Sequence, residues 1–225
     1  MCMKLVCLGA VPEAVRIYDK IREINSTIEL LGFLDNDERK WGKKLLNYPI
    51  FGGISKISEL NQDDVFFCNL VTHDAVTRYE TSLEMIKEGA KLTNFLHPNI
   101  DLNLVQLGIG NYIQESVILQ ANVGIGNNSS IHIGSLIGHE TKIGNSVFIA
   151  HGCNLSGSAC VEDGVFMGTG VSVVPNIIIG KWSIIGAGAV ILSDIPPYSV
   201  VVGNPGTIIK NTPKKYDSGD VLNID

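Results

Sequence analysis

The chain has 225 residues, 45% of them apolar and 18% charged, with 24 glycines and a net charge of −6. This balance excludes an intrinsically disordered chain, and with no block of lysines or arginines it argues against a nucleic-acid or anionic-membrane surface. No run approaches the ~20 apolar residues a membrane helix needs. The five scattered cysteines (Cys2, Cys7, Cys68, Cys153, Cys160), with no C-x-x-C pair, read as reduced thiols of a cytoplasmic protein.

In chain order, KLVCLGA is a compact apolar strand and not a secretory leader, because the amphipathic PEAVRIYDKIREI follows at once. That segment has helical spacing (Ala14, Ile17, Ile21, Ile24) and a proline, Pro12, where a helix tolerates one. IELLGFLDND is a second strand that ends in acids, and DVFFCNLV is a third. AVTRYETSLEMIKEGA is a second helix closed by Gly89, and KLTNFLHP is a fourth strand. Strand and helix in alternation predict a small α/β, Rossmann-like unit with a parallel sheet over residues 1–100. Gly9 and Ala10 end the first strand, and Asp35 and Asn36 end the second. These are the places where open α/β sheets bind ligands, so all four are candidate substrate contacts.

After Leu104 the period changes. Fifteen aliphatic positions, from Leu107 through Ile137 and Ile143 to Ile191, recur every six residues without a break. Neither a helix nor an ordinary strand has that period; it marks a repeat architecture. The residue after the aliphatic is glycine at 108, 126, 138, 144, 168, 180 and 186, and the residue four after it is small or β-branched from Val117 to Val171. Short strands that turn a corner every six residues need such a pair of inward side chains, with glycine or asparagine supplying positive φ at the turns. The pattern resembles the hexapeptide-repeat left-handed β-helix, here expected over residues 101–210. Three hexads then make one triangular coil, and residue i lies against i+18. Apolar residues read on the faces (Val123, Ile133, Phe148, Phe166) lead to the expectation of a trimer, as in proteins with this fold. A polar tail, 211–225, ends the chain and is expected to be mobile from residue 213.

Within LIGHETKIG, His139 is third in its hexad, a turn position that points outward. Eighteen residues on stands Gly157. This register sets an imidazole over a bare backbone N–H, a base and an oxyanion donor, which is the minimum equipment for acyl transfer. Glu140 is placed to take the other ring N–H and fix the tautomer. An imidazole with the ordinary pKa of ~6.5 suits deprotonation of an amine.

IGHETKIGNSVFIAHGCNLSG resembles the active-site coil of bacterial nucleotide-sugar N-acetyltransferases, of the bacillosamine and perosamine type, and of sialic-acid O-acetyltransferases. DIPPYSVVVGNPGTIIK resembles the C-terminal cap of hexapeptide acyltransferases, and LGFLDNDERKWGKKLLNYPIFGG resembles the loop that holds the sugar nucleotide. The resemblance implies an acetyl-CoA-dependent N-acetyltransferase acting on a nucleotide-linked, UDP-type amino sugar for bacterial surface glycans. His139 is then the base and Glu140 its helper, and the Gly157 amide receives the thioester carbonyl. By the same resemblance, coenzyme A lies along the prism axis between two subunits. Ala150, Gly157, Ala187 and Gly188 leave it room, and Lys210 meets a phosphate.

The chain also departs from that pattern. GAVPEA stands where a Gly-Gly-His run is usual, with Glu13 in the histidine's place. Phe148 replaces a second histidine, and His132 stands where asparagine is common and is a candidate substrate contact; together these imply an unusual sugar. No resident metal is expected, because His132, His139 and His151 are spread over different faces. Two alternatives stand beside the N-acetyltransferase: an O-acetyltransferase of the sialic-acid type, and a non-catalytic nucleotide-sugar-binding scaffold.

Overall fold

The computed structural model describes residues 3–24 and 27–222. Cys2 lies outside them; the other four cysteines are free thiols, and Cys7, Cys68 and Cys153 are buried. No helix of the described residues is long and apolar enough to cross a membrane.

The N-terminal unit follows the expected alternation: β1 (Met3–Leu8), α1 (Pro12–Ile24), β2 (Ile28–Leu34), β3 (Lys44–Leu45), β4 (Tyr48–Gly52), α2 (Ile57–Leu60), β5 (Val65–Asn69) and α3 (Ala75–Lys87). The sheet order is β3-β4-β2-β1-β5, parallel except for the β3–β4 hairpin. That hairpin was not anticipated, because its first arm is only two residues long. Asp74 caps α3 by accepting from the Thr77 N–H, and Gly89, at φ 91°, ends it.

KLTNFLHP does not supply a fourth strand to this sheet. Leu92 makes one isolated bridge to Phe67, whereas β6 (Phe95–Leu96) pairs with Tyr112–Ile113 and so opens the prism. Two residues of pairing cannot be told from an edge strand by composition.

The repeat is as expected. Fifteen two-residue strands, β7 to β21, run from Gln106–Leu107 to Val190–Ile191, and each ends in the periodic aliphatic. They stack in parallel at a step of eighteen into three faces, as a left-handed parallel β-helix requires. The first face contains Lys142–Ile143, the second Phe148–Ile149 and the third Leu136–Ile137. Strands β22 (Ser199–Val202) and β23 (Thr207–Asn211) extend the second face. Aliphatics and their partners four residues on, such as Ile137 with Thr141 and Ile149 with Cys153, are buried as two inward columns. Each large aliphatic contributes at most about 1.5–3 kcal/mol.

The corner chemistry differs from expectation. None of the seven glycines that follow an aliphatic has positive φ; the left-handed residues stand two positions later, at Gly134, Glu140, Gly152, Ser158 and their equivalents. The glycines after the aliphatics serve coil stacking instead. A Cβ on Gly138 would lie 2.5 Å from the Gly157 nitrogen.

The C-terminal segment also differs. Among residues 213–222, Tyr216 packs edge-on to Tyr79 and Val221 is fully buried. The Gly219 N–H donates to Asp163 Oδ2 at 3.1 Å, and its carbonyl accepts from Ser146 Oγ at 2.6 Å. The polar sequence concealed two apolar anchors and a backbone that hydrogen-bonds along a prism corner.

Candidate active site

The strand Leu136–Ile137 carries the chain to the corner between the third and first faces, where His139 projects with its side chain 61% exposed. Its backbone N–H donates to Gln120 Oε1 at 2.9 Å, nineteen residues back. Nδ1 lies 3.3 Å from Glu140 Oε2, which also accepts from Ser158 Oγ at 3.1 Å. Glu140 sits at φ 59°, a conformation that disfavours a residue of its size. The strain is offset by two contacts that a glycine or asparagine at this corner would not make in the same way. They place the carboxylate at Nδ1 and leave Nε2 over Gly157.

The count of eighteen is correct. Leu136 pairs with Asn154 and Ile137 with Leu155, so His139 stacks on Gly157, and a Cβ added to Gly157 would meet His139 Nε2 at 2.5 Å. Gly157 therefore keeps space beneath the imidazole. Its N–H has no acceptor among the described residues. The cause is visible in the sequence: the residue nineteen back, which caps the N–H at His139 and at Lys181, is here Gly138. A free donor and an imidazole with a carboxylate at Nδ1 thus share one exposed corner.

The other coenzyme candidates do not join them on this chain. Ala150 is buried at the end of the second face, packed with Ala75, Phe148 and Phe166 under the start of α3, which closes it to a ligand. That placement corrects the expectation that Ala150 leaves room for a pantetheine arm; the α3 N-terminus takes the space. Ala187 and Gly188 are exposed at the corner between the second and third faces, and Lys210 is exposed on β23.

The N-terminal candidates surround the ends of β1 and β2. Gly9 adopts φ 104°, and its N–H donates to Leu34 O. Asp35 is almost fully buried and is occupied by the protein itself. Oδ2 accepts from the Ala10 N–H at 3.0 Å and from Lys40 Nζ at 2.7 Å, and Oδ1 accepts from the Asp37 N–H at 3.0 Å. Burial raises its pKa, but the lysine and the two N–H groups outweigh burial and hold it below the ordinary carboxylate range. Asp35 therefore shapes the strand ends, and Asn36 beside it is the exposed residue.

Between this unit and the second face lies a cleft of about 300 Å³, lined by Val11, Glu13, Leu70, Tyr112, His132 and His151 among others. His132 is 3% exposed, with its ring 4.7 Å from Phe148 and 5.1 Å from His151, and its Nε2 is 2.9 Å from Ser130 Oγ. Burial, reinforced by His151 and Arg78, lowers its pKa to about 3, so it is neutral. Glu13 is not a bare charge at the cleft mouth: Arg16 pairs with it and with Glu115 on the prism. Sequence reasoning singled out His132 and Glu13 but missed Tyr112 and Gln114, which carry no signal beyond their place on the outward side of a repeat.

No protein-family model matches the chain. It is 33% identical over 143 residues to a mitochondrial serine acetyltransferase of Arabidopsis thaliana, a match covering 56% of this chain and 36% of the relative. The chain spans less than half the length of the curated relatives it matches first. Among solved structures it is similar to PerB from Caulobacter crescentus in complex with CoA and GDP-perosamine. The TM-score is 0.81 at 23% identity, over 93% of this chain and 99% of that one. It is likewise similar to the acetyltransferase domain of PglB from Neisseria gonorrhoeae in complex with acetyl coenzyme A, with a TM-score of 0.81 at 22% identity over 93% and 100% of the two chains. At such identities the likeness is one of fold, and it includes the N-terminal unit as well as the prism. The chain thus resembles the hexapeptide-repeat acyltransferases in both sequence and architecture.

Proposed function

We propose that this chain is an acetyl-CoA-dependent N-acetyltransferase whose acceptor is the amino group of a nucleotide-linked amino sugar. The observation that carries the reading is the His139–Gly157 corner: an imidazole with one nitrogen beside the carboxylate of Glu140, whose backbone is left-handed, over a backbone N–H with no acceptor among the described residues. A prism needs none of these for its own stability. The N-terminal unit and its cleft favour a nucleotide-linked acceptor, and a solved relative of the same architecture holds GDP-perosamine and CoA.

In this reading His139 Nε2 removes a proton from the acceptor nitrogen as that nitrogen attacks the thioester carbonyl carbon. The developing oxyanion takes a hydrogen bond from Gly157 N–H. The C–S bond then breaks, the imidazolium returns its proton to the departing thiolate, and the amide product and free coenzyme A result. A base of this kind contributes about 10²–10⁴ in rate and an oxyanion donor about 10²–10³. Self-association, as a trimer, brings Lys210 and the Ala187–Gly188 corner of one subunit toward the His139 corner of another. Ile178 on the first face and Ile118 on the third, both about half exposed, support packing of these faces.

The sugar expected from sequence was UDP-linked, whereas the relative's is GDP-linked, so the nucleotide is a variable of the test. The serine acetyltransferase likeness supports a second reading, in which the acceptor is an amino-acid hydroxyl. Coenzyme A release measured with amino-sugar nucleotides, their hydroxyl counterparts and serine separates the readings.

A further inference from the structure

Arg78, on the first turns of α3, is the largest side chain that the fold removes completely from solvent. Burial lowers its pKa to about 10, so it remains a cation at neutral pH. A buried charge costs several kcal/mol unless it is compensated. Among the described residues no carboxylate compensates it; four backbone carbonyls do.

Those carbonyls come from two bodies. Nη1 donates to Asn69 O at 2.5 Å and to Val71 O at 3.4 Å, at the end of β5 in the N-terminal unit. Nη2 donates to Gly110 O at 2.9 Å and Nε to Asn128 O at 2.8 Å, at two left-handed corners of the prism stacked one coil apart. Asn69 and Val71 flank Leu70, which lines one wall of the interdomain cleft, and Thr72 follows. Gly110 and Asn128 lead into the strands that place Tyr112 and His132 on the opposite wall. Arg78 does not line the cleft. It lies behind it and holds both walls with one planar group.

The joint around it is closed. Asn69 Nδ2 donates to Ser82 Oγ at 2.7 Å, and Ser82 Oγ to Asn128 Oδ1 at 2.7 Å. Asn128 Nδ2 donates to Ser146 Oγ at 2.9 Å. This buried chain crosses the same boundary, so the geometry has no freedom to relax around a different side chain.

We propose that Arg78 is a positioning residue that sets the width of the cleft between the N-terminal unit and the prism, and thereby the fit of the nucleotide-linked acceptor. This rests on the functional reading above for the identity of the acceptor. It does not rest on it for the joint. The His139–Gly157 corner is on the far side of the prism's third face and has no contact with Arg78.

The test uses the full chain with Arg78→Lys, which keeps the charge but loses the rigid fork, and Ser82→Ala, which breaks the neighbouring link and leaves the cation in place. Arg78→Lys is expected to raise the KM for the acceptor about tenfold or more, with the KM for acetyl-CoA within about twofold. Ser82→Ala moves the same constant about threefold. Hydrogen exchange, which needs no substrate, is expected to rise in 69–73 and 110–114 and to stay unchanged in 137–140 and 155–158. If Arg78→Lys does not fold, Ser82→Ala decides by the same two readouts. Unchanged exchange at both walls, or an even rise along the chain with both KM values moving together, overturns the proposal. A parent chain that acetylates no amino-sugar nucleotide overturns the functional reading alone, and the exchange comparison still decides whether Arg78 joins the walls.

Discussion

Two histidines seven residues apart stand on the same coil in opposite environments. His132 ends the second face under the N-terminal unit, between Phe148, Tyr112 and His151, where burial keeps it neutral. His139 stands on an open corner with a carboxylate at one ring nitrogen and a bare glycine beneath the other. They also hold different places in the hexad, His132 directly after the aliphatic at the end of a face and His139 one residue further into a corner, so register and covering together separate them. Where the N-terminal unit packs, a histidine becomes part of a wall, and on the corner that this unit leaves uncovered the imidazole stays accessible.

The comparison breaks first at His139. Replacement by alanine is expected to lower kcat about 10²–10⁴-fold while acetyl-CoA binding and stability persist, because the side chain is exposed. Activity within about threefold of the parent removes it from the mechanism. Gly157→Ala drives a methyl group into the position of the imidazole; since that ring can swing outward, the fold survives, and kcat falls about 10²-fold. A lowered Tm with kcat unchanged in Gly157→Ala contradicts this.

His132 gives the opposite signature, in stability. Its folded pKa is depressed below the unfolded value of ~6.5, so its contribution is present above that pH and is lost as the pH falls toward the folded value of about 3. Melting curves from pH 7 to 4 are expected to show an acid loss that His132→Asn reduces by about 3 °C or more. Equal acid sensitivity of parent and His132→Asn contradicts the assignment. The smallest effect is at Ser158→Ala, which removes one donor to Glu140; a kcat decrease of about fivefold corresponds to one net hydrogen bond of ~1 kcal/mol.

What the sequence disclosed depended on period. Fifteen aliphatics at a step of six define the prism, and a count of eighteen from His139 finds Gly157, because both follow from a repeat that local residues dictate. Which glycines are left-handed was not legible, since glycine is enriched both where φ is positive and where coils touch. Burial of Ala150 was not legible, because it is imposed by α3 from a distant part of the chain, and His132 is enclosed by Tyr112, Phe148 and His151 from other hexads. Neither was the docking of residues 213–222, whose anchors Tyr216 and Val221 are two apolar residues in a polar segment. Nothing in the sequence marks Arg78; only the meeting of two units makes it a buried cation.

The central claim is that the His139–Gly157 corner transfers an acetyl group to a sugar amine. The direct measurement is release of free coenzyme A from acetyl-CoA, parent beside His139→Ala, against UDP-, GDP- and dTDP-linked amino sugars, their hydroxyl counterparts and serine. Release that requires an amino-sugar nucleotide, yields the N-acetylated product and falls at least about 10²-fold in His139→Ala is the predicted result. Release driven by serine or by the hydroxyl sugars alone, or undiminished in His139→Ala, contradicts it.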